Sequence, residues 1–192
     1  MNKFDNLPSL FFSKAETNLE NIHTLKINSE TNQVQSWKWS ESKNLVIKLL
    51  HFLETKKLSP SNRVLLVSEN RPEWMATDIA IMSANLIAVP NYITYTPRDF
   101  EHILNDSMPK GLFVSNKELL QNVLSAAEKI DYKFEFIVCF DSFEYSDIDN
   151  LTFLNEINDI SNLDYSLKLQ SIKRSDPACI IYTSGTQGLP KG

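Results

Sequence analysis

Three of the four glycines in this sequence, Gly185, Gly188 and Gly192, fall within its last eight residues. Around them stand Thr183, Ser184, Thr186, Gln187 and Lys191. Glycine tolerates left-handed backbone and lets a ligand come close to main-chain N–H groups. Hydroxyls, an amide, backbone donors and one ammonium gathered on a single loop suit phosphate oxygens, which accept hydrogen bonds and carry negative charge. The pattern is not a Walker A loop: counting from Gly185, the place of that motif's second glycine is taken by Pro190, and neither Ser nor Thr follows Lys191. A G-x-G-x-x-G is absent as well.

A loop of this kind needs a rigid element to launch it. Residues 178–182, ACIIY, form a short apolar run that reads as a buried strand. The loop would then leave the carboxyl end of a strand, where open α/β sheets hold their ligands. A Gly/Ser/Thr-rich surface turn that binds nothing is the competing reading. The length of the pattern and its place after a strand speak against it.

Upstream, the chain alternates between two periodicities. Residues 2–19 read as an entry segment with a short helix carrying Leu10, Phe11 and Phe12. Residues 24–28 and 33–39 each alternate polar and apolar side chains on either side of 29–32, which predicts a small hairpin. Ser40 then reads as the cap of a helix whose apolar face is Leu45, Val46, Leu49, Leu50 and Leu53. Strands are expected at 63–68, 86–90, 111–115 and 134–140, and helices following Asn70, from Thr96-Pro97 to about Ser107, and over 117–130. Asn70 is expected to cap its helix, with Pro72 and Glu73 in the first turn. This alternation predicts an α/β fold: βαβ units forming a parallel sheet covered on both faces, with a small N-terminal hairpin. Residues 141–176, rich in Asp, Glu, Asn and Ser, read as a partly ordered connection with one helix around 151–160 and a solvated, charged face.

Composition narrows the function. A net charge of −5 argues against nucleic acid as a partner, because non-specific binding to it needs a basic surface. Cys139 and Cys179 are the only cysteines, both in apolar runs, and read as small buried hydrophobes. His23, His51 and His102 are scattered without a cysteine or carboxylate at ligand spacing, so no metal site is expected. Trp37 and Trp39 read as core residues on one side of a strand. There is no signal-peptide pattern and no apolar run of membrane-spanning length, which points to the cytoplasm and leaves room for peripheral membrane contact.

YTSGTQGLPKG, from Tyr182 to Gly192, closely resembles the phosphate loop of the adenylate-forming (AMP-binding) enzymes: acyl-CoA synthetases, luciferases and peptide-synthetase adenylation domains. It departs from the family's usual form at Gln187, where threonine is customary. Asn70 to Trp74 (NRPEW), Val89-Pro90 with Tyr92 and Thr94, and Leu104 to Ser107 (LNDS) resemble the long-chain acyl-CoA synthetases in particular. Most of these read as caps, turns and strand ends rather than ligand contacts. The family usually has glycine where Asn85 stands, and asparagine is the next best residue for left-handed backbone.

The resemblance implies an enzyme that joins a carboxylate to the α-phosphate of ATP, expels pyrophosphate and passes the acyl group to coenzyme A. Thr183, Ser184, Gly185, Thr186, Gln187, Gly188 and Lys191 would bind the ATP phosphates, and Mg2+ would share the charge of the leaving pyrophosphate. It also implies that the adenine pocket, the acyl tunnel and the mobile C-terminal domain lie outside this sequence. Residues 1–192 are therefore expected to be the N-terminal portion of an adenylate-forming domain, truncated at the phosphate loop, with no catalytic residue of its own and inactive in isolation. An apolar final strand left at the sheet's edge would favour association with other chains. The alternative is a short protein of this fold that binds a nucleotide or a partner without catalysis.

Overall fold

The computed structural model describes residues 5–27, 31–146, 148–160, 163–183 and 190–192. Helix α1 (Leu7–Thr17) is capped by Asn6, whose Oδ1 accepts from Ser9 N–H at 2.8 Å. The Asn6 amide also donates to the Leu169 and Ile172 carbonyls, so one side chain starts α1 and ties it to the end of the last helix among the described residues. Strands β1 (Ile22–Ile27) and β2 (Val34–Lys38) pair antiparallel as the expected hairpin, whose turn falls partly outside the described residues.

Helix α2 (Trp39–Thr55) begins before Ser40, which lies inside it rather than capping it. The reason is local: Trp39 and Ser40 N–H groups are taken by the Asn21 and Leu19 carbonyls, and Glu41 reaches back to Lys38 N–H at 2.7 Å. Trp39 accordingly opens a helix instead of lying in a strand beside Trp37, and its ring stacks on His23 with centroids 3.7 Å apart.

Then follow β3 (Arg63–Val67), α3 (Pro72–Ser83), β4 (Ile87–Asn91), α4 (Pro97–Ser107), β5 (Gly111–Val114), α5 (Lys117–Lys129) and β6 (Phe136–Cys139). Arg71, not Asn70, caps α3, because proline at the first helical position forces the residue before it into extended backbone (φ −150°, ψ 159°). Thr96 and Pro97 start α4 as expected. Asn85 turns the chain from α3 into β4 with φ 58°, the left-handed conformation its side chain tolerates.

The sheet order is β4-β3-β5-β6-β7, all parallel, where β7 is Leu151–Phe153. That last strand corrects the expected helix over 151–160. Leu151-Thr152-Phe153 pairs with β6, Phe153 is buried, and among the described residues one 3-10 turn (Leu154–Glu156) and helix α6 (Ser166–Ser171) follow. Side chains alternate between two cores. Leu66, Phe113, Phe136 and Val138 meet α1, α2, α3 and α6; Leu65, Val67, Leu112, Val114 and Ile137 meet α4 and α5. Near-continuous apolar strands, buried on both faces, are what such a sheet requires.

The expected strand over 178–182 is reduced to one parallel bridge on the outer edge of β4. Ala88 N–H donates to Ala178 O and Ile180 N–H donates to Ala88 O. The next rung would need an N–H from residue 90, which is Pro90, so the ladder stops there. Ile181 is consequently exposed, and Cys179 is exposed rather than buried. Cys139 is buried, and burial pushes its thiol up to about 11.

Candidate phosphate-binding site

Beyond the carboxyl end of β4 the bridged segment delivers Tyr182 and Thr183. Thr183 forms an antiparallel bridge with Lys191: each residue's N–H donates to the other's carbonyl at 3.0 Å. Residues directly opposite in such a pair project their side chains to the same face. Thr183 and Lys191 are both exposed, whereas Tyr182 and Pro190, which precede them, are buried. The expected phosphate ligands Thr183 and Lys191 are thus paired through their main chains, with both side chains on the same exposed face. Ser184, Gly185, Thr186, Gln187 and Gly188 lie outside the described residues.

The buried partners are held by α4 and the turn before it. His102 Nε2 lies 2.8 Å from Pro190 O, the Tyr182 hydroxyl donates to Asp106 Oδ2, and the Tyr95 hydroxyl donates to Tyr182 O at 3.1 Å. His102 and Asp106 are four residues apart, hence on one helical face, beside the face whose Phe100, Ile103 and Leu104 enter the core. Burial, reinforced by the Asp106 carboxylate, pushes the Tyr182 phenol up to about 12, so it remains a donor. On the far side of the bridge, a Cβ at Gly192 would stand 2.7 Å from Ile180 Cγ2 and 2.8 Å from Tyr182 Cζ; only glycine lets the returning chain lie flush there.

From the sequence alone His102 reads as a scattered histidine, Asp106 is marked only as part of the LNDS stretch of family resemblance, and Tyr95 carries no signal of its own. Their partners lie 76 to 88 residues away. The local signals are the LNDS stretch and the four-residue spacing of His102 and Asp106 within an amphipathic helix.

The sheet has a second place where a ligand could be expected. Its order reverses between β3 and β5, and open α/β sheets commonly bind at such a switch point. Here the crevice is filled from within. Arg71 pairs with Glu73 at 2.9 Å, Asp141 at 2.9 Å and Glu69 at 3.5 Å, and the Ser115 hydroxyl donates to Glu69. Burial works against the Arg71 charge, but Glu73 and Asp141 outweigh it and raise its pKa. Among the described residues no group of three or more His, Cys, Asp or Glu is placed to hold a metal ion, and no helix is long and apolar enough to cross a membrane.

The described residues form an α/β fold with a five-stranded parallel sheet, and the Gly/Ser/Thr-rich sequence follows the segment bridged to its β4 edge. The AMP-binding enzyme family matches residues 14–192, and the chain belongs to that family. It is 30% identical over 131 residues to the long-chain-fatty-acid–CoA ligase FadD15 of Mycobacterium tuberculosis, covering 68% of this chain and 21% of the ligase. It is 28% identical over 196 residues to long chain acyl-CoA synthetase 2 of Arabidopsis thaliana, covering 96% of this chain and 29% of the synthetase. The chain therefore spans less than a third of the length of these relatives. Its fold is that of the luciferase-like enzyme of the nonluminescent Zophobas morio mealworm (TM-score 0.75, 20% identity, 100% of this chain and 43% of that one). It also superposes on the anthranilate CoA ligase AuaEII, solved with anthranoyl-AMP (TM-score 0.68, 16% identity, 98% of this chain and 34% of that one).

Proposed function

We propose that the chain is the N-terminal portion of the adenylate-forming domain of an ATP-dependent fatty acid–CoA ligase. The observation that carries this reading is the Thr183–Lys191 bridge, which sets a hydroxyl and an ammonium on one face at the root of the glycine-rich loop. A carboxylate has no leaving group, and attack on the α-phosphate of ATP supplies one. Negative charge then builds on the departing pyrophosphate, and donors placed there lower the barrier. Thr183, Ser184, Thr186, Gln187 and Lys191 would bind the β- and γ-phosphates, with Gly185 and Gly188 giving clearance.

The described donors, Thr183 and Lys191, suit phosphate oxygens; magnesium would arrive with the nucleotide and share the charge of its phosphates. The acyl-adenylate would pass to coenzyme A through parts of the domain that lie beyond these residues, so residues 1–192 alone are expected to make no acyl-adenylate. The long-chain substrate is favoured by the names of the curated relatives and by the NRPEW and LNDS stretches. The test is ATP–pyrophosphate exchange by the complete gene product across carboxylic acids of increasing chain length. Exchange that depends on a long-chain fatty acid supports the reading. Exchange driven only by short or aromatic acids would move the substrate class, and none with any acid would leave the non-catalytic binding protein.

A further inference from the structure

We infer that His102 is a positioning residue for the phosphate loop, acting through the main chain at the root of Lys191. The inference rests on the phosphate-cradle reading and uses described residues only. A single pair of opposed residues does not fix its own direction in space, since isolated two-stranded segments are marginal in water. The Thr183–Lys191 bridge therefore needs an external anchor on each arm. The outgoing arm has two: the Tyr182 hydroxyl on Asp106 and the Tyr95 hydroxyl on the Tyr182 carbonyl. For the returning arm, residues 190–192, the one side-chain hydrogen bond among the described residues is His102 Nε2 to Pro190 O at 2.8 Å.

Pro190 has no N–H, and its carbonyl can only accept, so His102 must carry its proton on Nε2. The bond joins α4 to the residue immediately before Lys191. His102 and Asp106, one turn apart, thereby hold the two arms from the same helical face. Because α4 is sewn into the core by Phe100, Ile103 and Leu104, the lysine's root inherits the rigidity of the sheet. A preorganised donor does not have to be ordered when the phosphate arrives, and that saving appears as affinity. Without the His102 bond, Lys191 keeps its charge and loses its fixed origin.

The experiment compares His102→Ala, His102→Gln and Lys191→Ala with the parent in the complete gene product. In glutamine the amide nitrogen stands as many bonds from the backbone as Nε2 and can donate to the same carbonyl. Two quantities are read: affinity for magnesium pyrophosphate by calorimetry, and hydrogen exchange of the peptide containing Lys191. His102→Ala is expected to weaken pyrophosphate binding about three- to tenfold, the worth of one hydrogen bond, and to speed Lys191 exchange by a similar factor. His102→Gln should restore most of both. Lys191→Ala should weaken binding more, and adding His102→Ala to it should weaken it little further, because the histidine acts through the lysine.

Unchanged Lys191 exchange in His102→Ala, or no recovery in His102→Gln, overturns the positioning role. A histidine that merely stabilises the fold would lower the unfolding midpoint without either effect. If pyrophosphate binding is absent, or indifferent to Lys191→Ala, the phosphate reading itself fails, and exchange alone then decides whether His102 holds the returning arm.

Discussion

Gly111 is the one glycine outside the loop, and the structure gives it a task that a single substitution can measure. It opens β5 opposite Phe136 of β6, and the Phe136 ring lies across it. A Cβ on residue 111 would fall 2.0, 2.2 and 2.6 Å from three ring carbons, whereas ordinary contacts lie at 3.4 Å or more. The ring cannot retreat easily: it is 1% exposed and wedged edge-on between Phe52 and Phe113, with centroids 5.5 and 5.7 Å away. Three clashes with a ring that cannot retreat put Gly111→Ala at the upper end of overpacking costs, ~3 kcal/mol, offset by up to about 1 kcal/mol from the reduced freedom of the unfolded chain, a net loss of about 2 kcal/mol. Phe136→Ala should cost ~3–5 kcal/mol through the cavity it leaves. The two changes compensate, because the alanine methyl enters the space the ring vacates. The double variant should be more stable than the sum of the single losses by at least about 0.5 kcal/mol, the lower range for residues in contact. Urea unfolding followed by tryptophan fluorescence gives all three values. A neutral Gly111→Ala, or strict additivity in the cycle, would refute the reasoning.

Asp78 of α3 is half-buried without an ion-pair partner among the described residues, and burial pushes its carboxyl from 3.8 up to about 6. The unfolded chain ionises first, so stability falls as pH rises from about 4 to 6 and stays reduced above; Asp78→Asn should remove that slope and add up to ~3 kcal/mol at pH 7, read from urea midpoints across pH. A slope unchanged in the variant would contradict the assignment. Tyr182→Phe removes the hydroxyl bound to Asp106 and should cost about 1 kcal/mol. In the parent, two tyrosines, Tyr132 and Tyr182, should resist ionisation until about pH 12 by ultraviolet absorbance, and one of these two late titrations should vanish in the variant while that of Tyr132 stays.

The βαβ alternation, the start of α4 at Thr96-Pro97 and the left-handed Asn85 could all be read from the chain, because each depends on residues within one turn of one another. The strand over 178–182 could not be judged that way. Its apolar run looked sufficient, yet its ladder is ended by Pro90, a residue whose missing N–H matters only once the pairing is known. β7 was hidden for a different reason: three residues are too few to show a period, and its burial comes from Phe143 and Tyr145 packing on Phe153. Type and spacing name Thr183 and Lys191 as phosphate ligands, while the part His102, Asp106 and Tyr95 play in holding their main chain cannot be read that way, since these residues meet the loop's root only through the tertiary fold.

The most direct test of the phosphate-cradle reading is a crystal structure of the complete gene product with a non-hydrolysable ATP analogue and magnesium. The β- and γ-phosphates should lie on the face shared by Thr183 and Lys191, with the hydroxyl and the ammonium both within hydrogen-bond distance of phosphate oxygens. A nucleotide bound elsewhere, with Lys191 pointing into solvent, would contradict it.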